Sequence, residues 1–250
     1  MNSHITVVDD GPVRTVRMNR PDKKNALTAA MYEAMASALE NANGHPDIRC
    51  VVIAGGAGAF SAGNDLAEFA QAATAGEGVG ASVTRFLHAL ARSERPLVAA
   101  VQGLAVGVGT TLLLHCDHVV AGTDARFSTP FVGLGLVPEA ASSLLAPRLM
   151  GHRRAFELLV MGRPLDAVAA QACGLINAVV PPGDVEAEAM KAAHHIATLP
   201  AEAVAASRRL MRGPPDETVV RIDEEVRLFK ERLQSAEAQA AFDAFLNRRR

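Results

Sequence analysis

The chain has 250 residues, 49% of them hydrophobic, a net charge of -2 at pH 7 and a mean hydropathy of +0.14. A chain this long and apolar buries a large core, which excludes disorder. The near-neutral balance excludes a broad nucleic-acid footprint, because the dense basic run is confined to Arg248, Arg249 and Arg250.

Trp is absent and one Tyr accompanies nine Phe, so the interior is built from Ala, Val, Leu and Gly, and backbones approach closely. The opening MNSHITVVDDGPV has neither a basic nor an apolar leader region. The apolar stretch from Pro96 to Ala121 is broken by Gln102, Thr110, Thr111 and His115, and its pieces fall well short of the ~20 residues that cross a bilayer. A soluble cytoplasmic protein is expected, with Cys50, Cys116 and Cys173 as reduced, buried thiols.

Ile5 to Val8 and Val13 to Met18 flank Asp10-Gly11, the turn chemistry of a hairpin. The segment Asn19 to Leu27 leads to Thr28, a good N-cap, and then to Met31, Met35, Ala38, Leu39 and Ala42 at helical spacing. Asp47 to Ala54 reads as a buried strand that ends in GGAGAFSAG, Gly55 to Gly63, where so many small residues imply a tight backbone. Asn64-Asp65-Leu66 starts a helical piece that fades into a loop from Ala70 to Gly80. Ser82 to Arg92 is a helix stopped before Pro96, and Leu97 to Val101 is a strand. Gly103 to His115 begins rich in glycine, becomes helical and leads to the strand Val119 to Ala121. This recurrence of strand, glycine turn and helix predicts stacked strand-strand-helix units. Beyond it come helices at Gly151 to Met161 and Asp166 to Ala172, then a last strand, Ile176 to Val180. From Val185 onward only helices are expected, and the apolar stripes of Asp216 to Gln234 and Glu237 to Arg249 need a surface on the core or on a neighbouring subunit.

Nucleotide fingerprints are absent: neither Gly76 to Gly80 nor Gly107 to Gly109 completes G-x-G-x-x-G, and no P-loop occurs. His115, Cys116, Asp117 and His118 are crowded, but without a C-x-x-C or H-E-x-x-H they read as buried structural residues rather than metal ligands. Ala125 to Ser143, ARFSTPFVGLGLVPEAASS, carries the one acid that stands out. Glu139 follows Phe127, Phe131, Leu134, Leu136 and Val137, company that desolvates a carboxylate and suits it to proton transfer near neutral pH. Pro138-Glu139 also reads as the opening of a short helix, in which Pro and Glu are favoured by geometry and dipole. The turns Ser61 to Leu66 and Gly103 to Gly109 each end a strand in glycine and open into a helix, so each has a backbone N–H to present.

NRPDKKNAL, FSAGNDL, PLVAAVQGLAVGVGTTLLLHCDHVVA, ARFSTPFVGLGLVPE and AFLNRR resemble, in order, the landmarks of the enoyl-CoA hydratase/isomerase (crotonase) superfamily. The resemblance implies an α/β fold, a spiral of β-β-α repeats over residues 1–190, followed by a helical trimerisation region over 191–250, assembled as a trimer or dimer of trimers. It implies an acyl-CoA substrate whose thioester oxygen rests on the backbone amides of Asn64 and Val108. No separate cofactor is expected, coenzyme A being part of the substrate. Substrate contacts are carried over to Lys24, Ala26, Ala62, Asp65, Leu66, Thr111, Phe131 and Arg248. Family hydratases use two glutamates, and the matching positions here hold Thr111 and Phe131. The motif from Phe127 to Glu139 is similar to that of peroxisomal delta3,delta2-enoyl-CoA isomerases, which implies Glu139 as sole acid and base. Some relatives bind RNA, but the charge balance offers no basic stripe for it.

Overall fold

β1 (Ile5–Asp10) and β2 (Val13–Met18) pair antiparallel through the expected turn, with Gly11 at a positive φ of 55°. The computed structural model describes residues 4–56, 58–65, 68 and 80–247. Thr28 caps α1 (Ala29–Gly44), its side chain accepting the Met31 N–H, and the predicted stripe of Met31, Met35, Ala38, Leu39 and Ala42 is buried. The two strands β3 (Cys50–Ala54) and β5 (Leu97–Val101) are buried at every position, which explains their unbroken apolar sequence. With β7 (His118–Gly122) and β10 (Ala178–Val180) they complete a six-stranded sheet, ordered β1-β2-β3-β5-β7-β10 and parallel from β2 onward.

A second sheet was hidden in the glycine-rich stretches. The short strands β4 (Ala59–Ser61), β6 (Leu104–Val106), β8 (Arg126–Ser128) and β9 (Leu165–Asp166) line up in that order. Each repeat of the spiral sends one strand to each sheet: β3 and β4, β5 and β6, β7 and β8. The turns between the sheets stack closely enough that a methyl group on Gly103 would meet the Gly58 carbonyl oxygen at 2.1 Å. Only glycine fits there, and its φ of 61° also favours it.

α1 and α2 (Ala81–Ala91) cover one face of the large sheet. α3 (Val108–Thr111) follows β6 and passes directly into a 3-10 turn, Leu112–His115. α4 (Ser142–Met150), α5 (His152–Leu159) and α6 (Ala167–Ala172) precede β10. α7 (Val185–Thr198) lies on the opposite face of the large sheet, where Val185, Ala189 and Ala193 pack against Val52, Val98 and Val120. The expected junction at 190/191 falls inside this helix.

α8 (Ala201–Arg212), α9 (Asp216–Leu233) and α10 (Ala236–Asn247) complete the helical tail. The α9 stripe of Val219, Ile222, Val226, Phe229 and Leu233 is buried within the chain itself, largely against α2. Phe242 of α10 is buried in the same core, while the side chains of Phe245 and Leu246 lie outside the described residues. Of the two surfaces expected for this stripe, the core takes it, and each large apolar side chain gains about 1.5–3 kcal/mol from leaving water. Burial pushes the thiols of Cys50 and Cys116 up to about 12, and all three cysteines are free. Among the described residues no helix is long and apolar enough to cross a membrane.

Candidate active site

The ends of β6 and β8 fix a turn from which the site is built. Gly107 N–H donates to the Ser128 carbonyl at 2.8 Å, and the Thr110 hydroxyl donates to the Ala105 carbonyl at 2.6 Å. α3 starts one residue later, so Val108 is its first residue and Thr111 its last. The Thr111 hydroxyl donates to Oε1 of Glu139. Oε2 of Glu139 is buried and has no hydrogen-bond partner among the described residues. Burial pushes this carboxyl up to about 8; the Thr111 hydroxyl opposes the shift and the charge of Glu225 adds to it. Near neutrality the group therefore exchanges protons readily, as the apolar sequence around it predicts.

Glu139 does not open a helix. Ala140 and Ala141 follow it with φ of 61° and 53°, and α4 begins only at Ser142. Left-handed alanines cost about 1–2 kcal/mol each, so packing must hold them. His115 supplies one tie, its Nε2 lying 2.8 Å from the Ala140 carbonyl oxygen. Burial pulls the imidazole down to about 4, so it is neutral and Nε2–H donates. His115 is thus a tie within the fold, and no group of three His, Cys, Asp or Glu placed to hold a metal ion occurs among the described residues.

The second strand-end turn, from Ala62 to Asp65, runs beside residues 24–27 through Ala62 N–H to Lys24 carbonyl, Leu27 N–H to Gly63 carbonyl and Asp65 N–H to Leu27 carbonyl. Asn25 anchors the partner segment, its side chain donating to the Ala59 and Phe60 carbonyls of β4. A methyl on Gly63 would stand 2.8 Å from the Val106 carbonyl oxygen, so this turn abuts the one that starts α3. Neither Asn64 N–H nor Val108 N–H has an acceptor among the described residues. Two free amides on abutting turns, with a buried carboxyl beside one of them, form an arrangement that can bind a carbonyl oxygen and move a proton next to it.

The remaining expected residues separate. Phe131 is buried and stands 3.8 Å from where a Gly107 methyl would be. Lys24 is exposed, and Ala26 and Ala62 are half-buried along the same edge. Asp65 is tied to Arg20 at 2.6 Å, which makes it a brace for the turn. Thr111, expected as a pocket wall, instead touches the acid directly. Leu66, Arg248 and residues 70–79 lie outside the described residues. Tyr32, the only tyrosine, was read as part of no site, yet its buried hydroxyl donates to Oδ1 of Asn64. Burial, then the charges of Glu139 and Glu68, push its phenol far up, so it stays a neutral donor. Its place on the buried face of α1 was the only available signal.

A family model described as "Enoyl-CoA hydratase/isomerase" matches residues 10–250. The chain belongs to the enoyl-CoA hydratase/isomerase family. It is 37% identical over 250 residues to the rat (Rattus norvegicus) enoyl-CoA delta isomerase 2, covering 98% of this chain and 64% of that protein, so it spans less than two thirds of that relative's length. It is 30% identical over 247 residues to a probable enoyl-CoA hydratase of Rhizobium meliloti, covering 98% of this chain and 96% of that protein. The crystal structure of an enoyl-CoA hydratase/isomerase from Pseudoalteromonas atlantica superposes with a TM-score of 0.92 at 41% identity, covering 98% of both chains. The spiral of paired strands is therefore the crotonase fold, and the chain is an enzyme of this family.

A cleft of about 770 Å³ is lined by Arg92, Arg95, Arg208, Arg209 and Arg212 among others; His115 belongs to its lining and Glu139 does not. Ser93, Glu94 and Arg95, just before β5, are also part of that lining.

Thr111→Val keeps the shape and removes the hydroxyl that holds the carboxyl down. The acid limb of the pH-rate profile should then move above about 8, the direction set by loss of a donor to the ionised form. An unmoved limb in a folded variant would separate Thr111 from the titration.

Proposed function

We propose that the chain shifts the double bond of a 3-enoyl-CoA to the 2-position, with Glu139 as the only acid and base. One observation carries this reading: Glu139 is buried, raised to about 8 and has one carboxyl oxygen without a partner, while no second acid stands at Thr111 or Phe131. Ionised Glu139 takes a proton from C2; the C–H electron pair forms a C1–C2 double bond and the carbonyl pair moves onto the thioester oxygen, giving a dienolate conjugated with the C3–C4 double bond. The amides of Asn64 and Val108 hold that oxygen. The same carboxyl returns the proton to C4 as the new C2–C3 double bond forms, leaving the acid ionised for the next turnover. Water addition needs a second group to handle the water proton, and a threonine hydroxyl bonded to Glu139 and a phenyl ring are poorly suited to that task.

The family's hydratases supply the rival reading, since probable hydratases stand among the relatives beside the isomerases. For coenzyme A we propose the edge at Lys24 and Ala26, with Arg248 for a phosphate. For assembly we propose a homotrimer or dimer of trimers, supported by the exposed apolar side chains of Leu149, Phe156, Met161, Leu210 and Met211. Offering the protein a 3-enoyl-CoA and a 2-enoyl-CoA in parallel tests the reaction. Conversion of the first with no hydration of the second is expected; rapid hydration of the second would reverse the assignment.

A further inference from the structure

One acid from the helical tail reaches the turn behind Glu139. Glu225 of α9 is 4% exposed. Its Oε2 accepts the Ala141 N–H at 2.6 Å, and its Oε1 accepts both the Ser143 N–H at 3.0 Å and the Ser143 hydroxyl. Ala141 is the N-cap residue of α4, and its methyl group cannot satisfy the amides of the first turn. The missing cap is thus supplied from a helix 84 residues further along the chain. Burial holds the Glu225 carboxyl above its ordinary value, and the three donors, with Arg221, offset part of that cost, while the helix N-terminus favours negative charge.

We infer that Glu225 is a positioning residue for Glu139: it caps α4, clamps the two left-handed alanines against His115, and so aims the carboxyl that they follow. The inference rests on Glu139 being the acid and base of the reaction. It also explains why α9 packs inward. The charged and titratable groups facing the pair are Tyr32 on α1, His115 before β7, Arg221 on α9 and the two glutamates themselves. Tyr32 and His115 are held neutral by burial, which leaves Glu225 as the neighbouring negative charge that raises Glu139.

Two variants separate reach from charge. Glu225→Gln keeps the size, loses the charge and turns an amide N–H₂ toward a donor. It should lower kcat by about 100-fold, as misplacement of a reacting group by about 1 Å does, with little change in KM. Its acid limb should move to lower pH, since the like charge beside Glu139 is gone. Glu225→Asp keeps the charge and shortens the reach, so kcat should fall while the limb stays in place. Adding Ala141→Gly to Glu225→Gln relieves the left-handed strain and should restore part of kcat without moving the limb back. Infrared titration of the Glu139 carboxyl, identified by its loss in Glu139→Gln, reports the same shift without any substrate. If the wild-type chain proves not to be an isomerase, that titration still decides the role of Glu225. Wild-type kcat in whichever of the two variants folds, or a Glu139 titration unmoved in Glu225→Gln, would overturn the inference.

Discussion

Glu139→Gln should reduce conversion of 3-enoyl-CoA by at least ~100 to 10,000-fold while leaving acyl-CoA binding largely intact, because the amide keeps the shape of the group and cannot take a proton. Steady-state turnover with a separate binding titration checks both halves. The same variant gives a stability result that does not depend on the reaction. In the folded chain burial holds the carboxyl protonated up to about 8, against an ordinary value of 4.5 in the unfolded chain. Between those two values the unfolded state releases its proton and the folded state keeps it, so the wild type loses stability as pH rises. Gln does not titrate. Glu139→Gln should therefore equal or exceed the wild type in stability at pH 8, with the difference shrinking toward pH 4.5. Chemical denaturation at the two pH values measures it, and a constant difference would place the carboxyl in water rather than in the core.

Val108→Pro carries the second large effect. It removes one of the two free amides and retains the φ range of a first helical residue, where proline is accepted. Loss of one donor to a developing oxyanion costs ~100 to 1000-fold in kcat. The variant must first show a native far-ultraviolet spectrum and bind coenzyme A. Unchanged turnover in such a folded variant would rule out the paired amides of Asn64 and Val108 as the thioester oxygen's seat.

The large sheet was legible because β3 and β5 are buried on both faces and so spell continuous apolar runs. The small sheet was not: β4, β6 and β8 have three residues each, too few to show alternation, and they sit among glycines that read as turns. Glu139 was legible from its apolar neighbours, whereas the left-handed alanines behind it looked like the start of a helix. Nothing local marks that turn, since Ala-Ala is a helix former and the side chains that bond to its backbone, Glu225 and His115, lie far away in sequence. Tyr32 and Thr111 escaped for the same reason. Each lies on a buried face where an apolar residue would serve the fold equally well, and its hydroxyl acquires meaning only when the turn at Asn64 or the carboxyl of Glu139 arrives beside it. The tail helices stand where the sequence places them, and the choice between the core and a neighbouring subunit was left open because an apolar stripe does not say which dry surface will cover it.

The central claim is that one buried carboxyl carries a proton from C2 to C4. A 3-enoyl-CoA deuterated at C2 tests it most directly, with the product's label followed by nuclear magnetic resonance. The account predicts a 2-enoyl-CoA that carries part of the deuterium at C4, formed by the unmodified protein and essentially absent with Glu139→Gln. A 3-hydroxyacyl-CoA as the main product, or the same labelled 2-enoyl-CoA formed at full rate by Glu139→Gln, would contradict it.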